Sequence, residues 1–254
     1  MSDSYRALCS DFYVNLKLGV KMELPRGRDT VLELFERTRK QFPAMGNFRR
    51  YRDELALESP QSDTPHRWIA VRANSVRAGS VNPPTMPQAY TLHQYVLETA
   101  PVYLNISPLD IECVELLFGF DLVAPGNHDE IVFETLVGGS PLAKLSEIPG
   151  ASLTDYQPIV GMTLKDEVGD RGDVEAHFEI KTRPTSHLSH REGDGGRDPI
   201  SVYVTLRRFG AIGDLKQLAV MLGRLAEIGE ELVETRVVPH MLVPLRDAIA
   251  SGNA

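Results

Sequence analysis

Five consecutive residues near the middle of the chain, Gly126-Asn127-His128-Asp129-Glu130, bring an amide oxygen, an imidazole and two carboxylates to one turn. Donors gathered this way after a strand suit a divalent cation, which would polarise a phosphoryl or carbonyl oxygen and acidify a bound water. His128, Asp129 and Glu130 are therefore the candidate metal ligands, and a complete site needs a further donor from His177, His187, Asp170 or Asp173. The same string also has a structural meaning. Asn127 can cap a helix whose third position is Glu130, with both acids facing the positive end of the helix dipole. His187 and His190, followed by Glu192 and Asp194, form a second chelating string, but in a glycine-rich loop that holds ligands rigidly only if packing orders it. Gly169 to Asp173 falls between two alternating strands and reads as a hairpin connection without the ligand spacing of a calcium loop.

Gly126 to Asp129 resembles the GNHD box of the calcineurin-like metallophosphoesterases, in which the Asn and His contact metal and phosphate. The resemblance implies a metal-dependent hydrolase centred on residues 126–130. That family also carries Asp-x-His and Gly-Asp-x-x-Asp boxes before this one and a Gly-His-x-His box after it. Here no Asp-x-His precedes Gly126, Gly169-Asp170-Arg171-Gly172-Asp173 has the second spelling but follows, and the later histidines form no Gly-His-x-His. The match covers four residues of 254. Helix capping accounts for Asn127, Asp129 and Glu130, and leaves His128 without a role.

A second kind of chemistry is offered by cations. Arg37, Arg39, Lys40, Arg49, Arg50 and Arg52, interleaved with Phe48 and Tyr51, make the candidate phosphate or nucleic-acid patch. The net charge of −8 argues against nucleic acid as a general partner. The charge is uneven: residues 1–100 carry 14 Lys and Arg against 11 Asp and Glu, and the remainder 13 against 24. That polarity suits association with a protein partner or a second copy.

Other chemistries lack their residues. Gly-x-Ser-x-Gly, the Gly-Lys phosphate loop and Gly-x-Gly-x-x-Gly are all missing, so no nucleotide or other cofactor is expected. Cys9 and Cys113 stand far apart, and Cys9 has no adjacent His or Lys to make a reactive thiolate. His93 and His240 lie on or beside apolar helical faces and are expected to be satisfied structural histidines, and His177 a surface residue on its strand. No apolar run is long enough to span a bilayer, and the first residues have no signal-peptide pattern, so a cytoplasmic protein without membrane contact is expected.

The elements that must position these residues follow from periodicity. Phe12 to Glu23 alternates without a break, as a strand with one wet face. A helix follows, with Asp29 as its N-cap, running to Pro43. Tyr51 to Glu58 and Trp68 to Val76 read as two strands, and Thr85 caps a helix stopped by Pro101. Ile111 to Val123 is apolar on both faces and reads as a central strand covered on both sides. After the helix capped by Asn127 come strands over 160–164, 174–180 and 200–206. A long helix capped by Asp214 then runs on, kinked by Pro239 and Pro244.

The expected fold is α+β: a largely antiparallel sheet of about seven strands with helices on one face. The order is βαββαβ, as in a ferredoxin-like sandwich, then αβββα. The whole of 1–254 is expected to be one domain, with pseudo-related halves 1–110 (βαββα) and 111–254 (βαβββα) and a mobile loop over 183–198. The expected function is a non-enzymatic binding or assembly protein acting through a sheet face or edge. The metal-dependent hydrolase above is the first alternative. The second is a small-molecule pocket between sheet and C-terminal helix, marked by an empty cavity under Gly223 and Gly229.

Overall fold

The computed structural model describes residues 5–25, 27–165, 172–182, 198–210 and 212–252. Strict alternation sets its frame. In β1 (Asp11–Val20) the even residues Phe12, Val14, Leu16 and Leu18 are buried, while Tyr13, Asn15 and Lys17 are half-exposed. Helix α1 (Arg28–Gln41) follows. Its N-cap position is Gly27, which offers no side-chain acceptor, so Asp29 lies in the first turn rather than at the cap.

Four strands come next where two were expected: β2 (Asn47–Arg50), β3 (Leu55–Glu58), β4 (His66–Val71) and β5 (Ser75–Val81). Two tight turns fall inside stretches whose apolar content reads as continuous. The Tyr51 N–H donates to Glu54 O at 2.9 Å and the Arg72 N–H to Ser75 O at 2.9 Å. Thr85 caps α2 (Met86–Tyr103) by accepting from the Gln88 N–H, as its spelling requires. Pro101 does not stop this helix but sits in its last turn: it has no N–H to give Leu97 O, while Leu104 N–H still reaches Ala100 O.

The second half repeats the scheme with one strand fewer. β6 (Ile111–Val123) leads into α3 (His128–Val137), β7 (Ile159–Leu164), β8 (Val174–Lys181) and β9 (Pro199–Phe209). The chain closes on α4 (Gln217–Leu232), a π-helical stretch around Pro239 (Val233–Leu242), and α5 (Val243–Ser251). Widening to π geometry is how the backbone passes Pro239 without breaking. Helix α4 starts three residues after Asp214, whose carboxylate receives the Lys216 N–H instead of capping.

All nine strands join one antiparallel sheet in the order β2-β3-β4-β5-β1-β6-β9-β8-β7. The leading strands of the halves, β1 and β6, pair at the centre, and each half lays its remaining strands outward in reverse chain order. The α+β class, the antiparallel sheet and the long C-terminal helix packed on it match the sequence reading; the strand count is nine, not seven.

The core lies between the even-numbered face of β1 and β6 and the helices, where Phe118, Phe120, Val204, Leu206, Leu222, Leu225 and Val233 are buried. At Gly229 of α4 an added Cβ would stand 2.2 Å from the Phe118 ring, so only glycine lets helix and sheet approach this closely. The odd face of β6 is not covered in the same way. Glu115, Leu117 and Asp121 are half-exposed there, and the cover expected on both sides of β6 is on one. Two acids on that face already explain why no helix is recruited to it.

Candidate functional site

The 126–130 string begins at a turn where Gly126 takes φ 85°, and it builds a clamp. The Asn127 amide oxygen accepts the N–H groups of Asp129 and Glu130, capping α3, and its amide nitrogen donates to Leu153 O at 2.8 Å. Asp129 is buried and its Oδ1 accepts from the Tyr156 N–H at 2.8 Å and from the Thr182 hydroxyl. His128 is buried too. Its Nε2 lies 3.0 Å from Ala124 O, and its Nδ1 is enclosed without a hydrogen-bond partner. Glu130 is half-buried.

These groups tie the segment before β7 and the end of β8 to the start of α3. They converge on protein donors, and among the described residues no group of three His, Cys, Asp or Glu is arranged to hold a metal ion. His177 lies on the sheet face opposite the helices, against Gly161, and Asp173 is exposed. Asp170, His187, His190, Glu192 and Asp194, with most of the 183–198 loop, lie outside the described residues.

Burial holds two further titratable groups, Cys9 and His93, in their uncharged forms. Cys9 donates its thiol to Tyr5 O, and burial together with Asp11 and Asp121 pushes its pKa up to about 12, far from a nucleophilic thiolate. His240 is exposed. His93 is fully buried on α2 beside the Val14 backbone, and burial lowers its pKa to about 3. It is a neutral core residue.

The helix-free face of the sheet carries many charges, and they are largely spent on one another. Arg207 binds Glu115 through Nε at 2.7 Å and through a second nitrogen at 2.5 Å, with Lys17 3.9 Å from the same carboxylate. Lys181 pairs with Glu179 at 3.3 Å. Tyr13 and Ser201 both donate to Asp121. Arg77 lies over Trp68, 5.7 Å from the ring centroid.

The β2–β3 hairpin is different. β2 is an edge strand, exposed along its whole length, and its turn continues the same chemistry: Phe48, Arg49, Arg50, Tyr51 and Arg52 are all exposed. Arg49, Arg50 and Arg52 have no ion-pair or hydrogen-bond partner for their side chains among the described residues. The neighbouring Glu54 is held by Arg72 at 2.6 Å, and Glu58 accepts from Tyr51 at 2.9 Å. Between this hairpin and α1 opens a cleft of about 490 Å³, walled by Val31, Leu32, Phe48, Leu55 and Val71, with Arg50, Arg52, Asp53 and Glu54 also lining it. On the hairpin's other side Arg49 and Arg50 border a second hollow of about 480 Å³ with Asn47, Glu58 and Gln61.

The six-residue basic set is thus divided. Arg49, Arg50 and Arg52 gather at the hairpin. Arg37, Arg39 and Lys40 belong to α1, where Arg39 and Lys40 complement the C-terminal dipole and Arg39 pairs with Glu36 at 3.0 Å. The cleft is not legible in the sequence, because it forms only where the turn at 51–54 folds the hairpin back beside α1. The cavity expected beneath Gly229 is filled by Phe118 and Leu206, and Gly223 is exposed. No helix among the described residues is long and apolar enough to cross a membrane.

Against known proteins, no family model matches this chain, and no curated protein matches it. Among solved structures, the chain is similar to the di-domain ARO/CYC BexL from the BE-7585A biosynthetic pathway. The two are 10% identical, the alignment covers 93% of this chain and 98% of that one, and the TM-score is 0.19. At that score the likeness carries no argument about fold or function.

Proposed function

We propose that this chain is a binding protein that engages an anionic partner at the β2 edge of its sheet. The observation behind the reading is the set of three exposed guanidiniums, Arg49, Arg50 and Arg52, with no partner among the described residues. An arginine left unpaired keeps its fork of donors free for a carboxylate or phosphate, with little desolvation to overcome at an exposed edge. An edge strand also offers unpaired backbone donors and acceptors beside those side chains. The flanking Phe48 and Tyr51 add apolar contact area of the kind that anchors partners.

The test is fluorescence anisotropy with labelled hexaglutamate at low and raised salt. The wild-type chain is expected to bind with an affinity that falls steeply as salt rises. The Arg49→Ala/Arg50→Ala/Arg52→Ala variant is expected to bind at least tenfold more weakly. An unchanged affinity in that variant, or no binding by the wild type, overturns the reading.

A further inference from the structure

Building on that reading of the β2 edge, we infer that the cleft behind it is a site for a small monoanionic organic ligand with an apolar body, an alkyl or aryl carboxylate. The cleft's volume of about 490 Å³ falls in the size range of small-molecule sites. Its walls are apolar: Val31 and Leu32 come from α1, Phe48 and Leu55 from the hairpin, and Val71 from the end of β4. Its five apolar side chains give a sugar no lattice of neutral polar partners. They accept a hydrocarbon or aromatic body, whose burial supplies affinity in proportion to its area.

The charge at the rim sets the head group. Arg50 and Arg52 have no partner among the described residues, Asp53 lines the cleft beside them, and Glu54 is neutralised by Arg72, which lies outside the lining. Counting Arg50, Arg52 and Arg72 against Asp53 and Glu54 leaves one net positive charge. A single carboxylate meets that balance, whereas a dianionic head would face the Asp53 carboxylate with no cation left over. The body then lies between α1 and the hairpin, and the head emerges between Arg50 and Arg52.

Isothermal titration calorimetry with decanoate, acetate and hexaglutamate on the full chain tests this. Decanoate is expected to bind one per chain and acetate not measurably, because it lacks the body. Two variants probe the two parts of the site: Arg50→Ala/Arg52→Ala removes the head contacts, and Leu32→Trp fills the cleft from a half-buried helix position. Each is expected to weaken decanoate at least tenfold, while Leu32→Trp leaves hexaglutamate unchanged. If Leu32→Trp loses the wild-type circular dichroism, Leu32→Glu takes its place by setting a carboxylate in the wall. Binding of hexaglutamate without decanoate, or decanoate binding untouched by the cleft variant, overturns the inference and leaves the edge reading standing. Failure of both probes overturns both.

Discussion

β2 and β7 close the two ends of one antiparallel sheet, and they expose opposite chemistry. β2 is four residues long and carries two arginines; β7 spans six, Ile159 to Leu164, with no charged side chain. Ile159, Val160 and Met162 of β7 are 60%, 55% and 42% exposed. A short, charged edge resists casual pairing with another strand, and a longer neutral one does not. The β2 charges are nonetheless more than a guard. Along the helix-free face Lys17, Arg207 and Lys181 are paired with acids and Arg77 lies over Trp68, so these cations are engaged. On the proposed reading, the three arginines without a partner among the described residues mark this end of the sheet as the place that meets an anionic partner. The other end is fastened internally, by the clamp that Asn127 and Asp129 make on Leu153, Tyr156 and Thr182.

The comparison is broken most forcefully at that clamp. Asp129→Ala removes the acceptor of a buried hydroxyl and a backbone N–H, and is expected to cost about 2–3 kcal/mol in urea unfolding. A cost under about 0.5 kcal/mol would mean the string at 126–130 does not hold this end. The affinity for hexaglutamate at the far end should be unchanged.

Acid separates the core from both edges. His93 titrates near its ordinary value when unfolded but only near about 3 when folded, so the unfolded state takes the proton first. The His93 contribution to stability is full above about pH 6.5 and falls by about 1.4 kcal/mol per unit below it, a loss of about 2 kcal/mol at pH 5. Unfolding curves between pH 7 and 5 measure this, and His93→Leu should remove most of the slope between those limits. A slope unchanged in that variant would place the acid sensitivity elsewhere.

Paired and unpaired cations should differ next. Arg207→Ala strips Glu115 of its closest partner and is expected to cost about 1 kcal/mol. Arg50→Ala, which breaks nothing in the chain, should fall within about 0.5 kcal/mol of wild type by the same thermal or chemical unfolding. Equal losses would show that Arg50 has a structural partner. The smallest effect is expected from Val160→Lys on β7, within about 0.5 kcal/mol for stability and with no change in hexaglutamate binding.

Much of this fold was legible in the sequence because its signals are local. β1 and β6 alternate over ten or more residues, and the caps at Thr85 and Asn127 are spelled out by their own side chains. The missed strands have a different origin. β2–β3 and β4–β5 are separated by turns at 51–54 and 72–75 with no glycine or proline, so a run such as Trp68 to Val76 reads as one strand when it is most of a hairpin. Arg49, Arg50 and Arg52 were visible as a cluster, but the cleft beside them depends on α1 crossing the hairpin, a contact between residues about twenty positions apart. At His128 the case is reversed: its neighbours were correctly read as a cap, while the bond to Ala124 O depends on how the turn folds back on itself.

The most direct measurement of the central claim is hydrogen–deuterium exchange of the full chain with and without saturating hexaglutamate, because it reports both ends of the sheet at once. Protection is predicted for peptides covering residues 47–55, with none at 159–164. Protection centred on β7 or on the helix-free face, or no protection anywhere, would contradict the assignment of binding to the β2 edge.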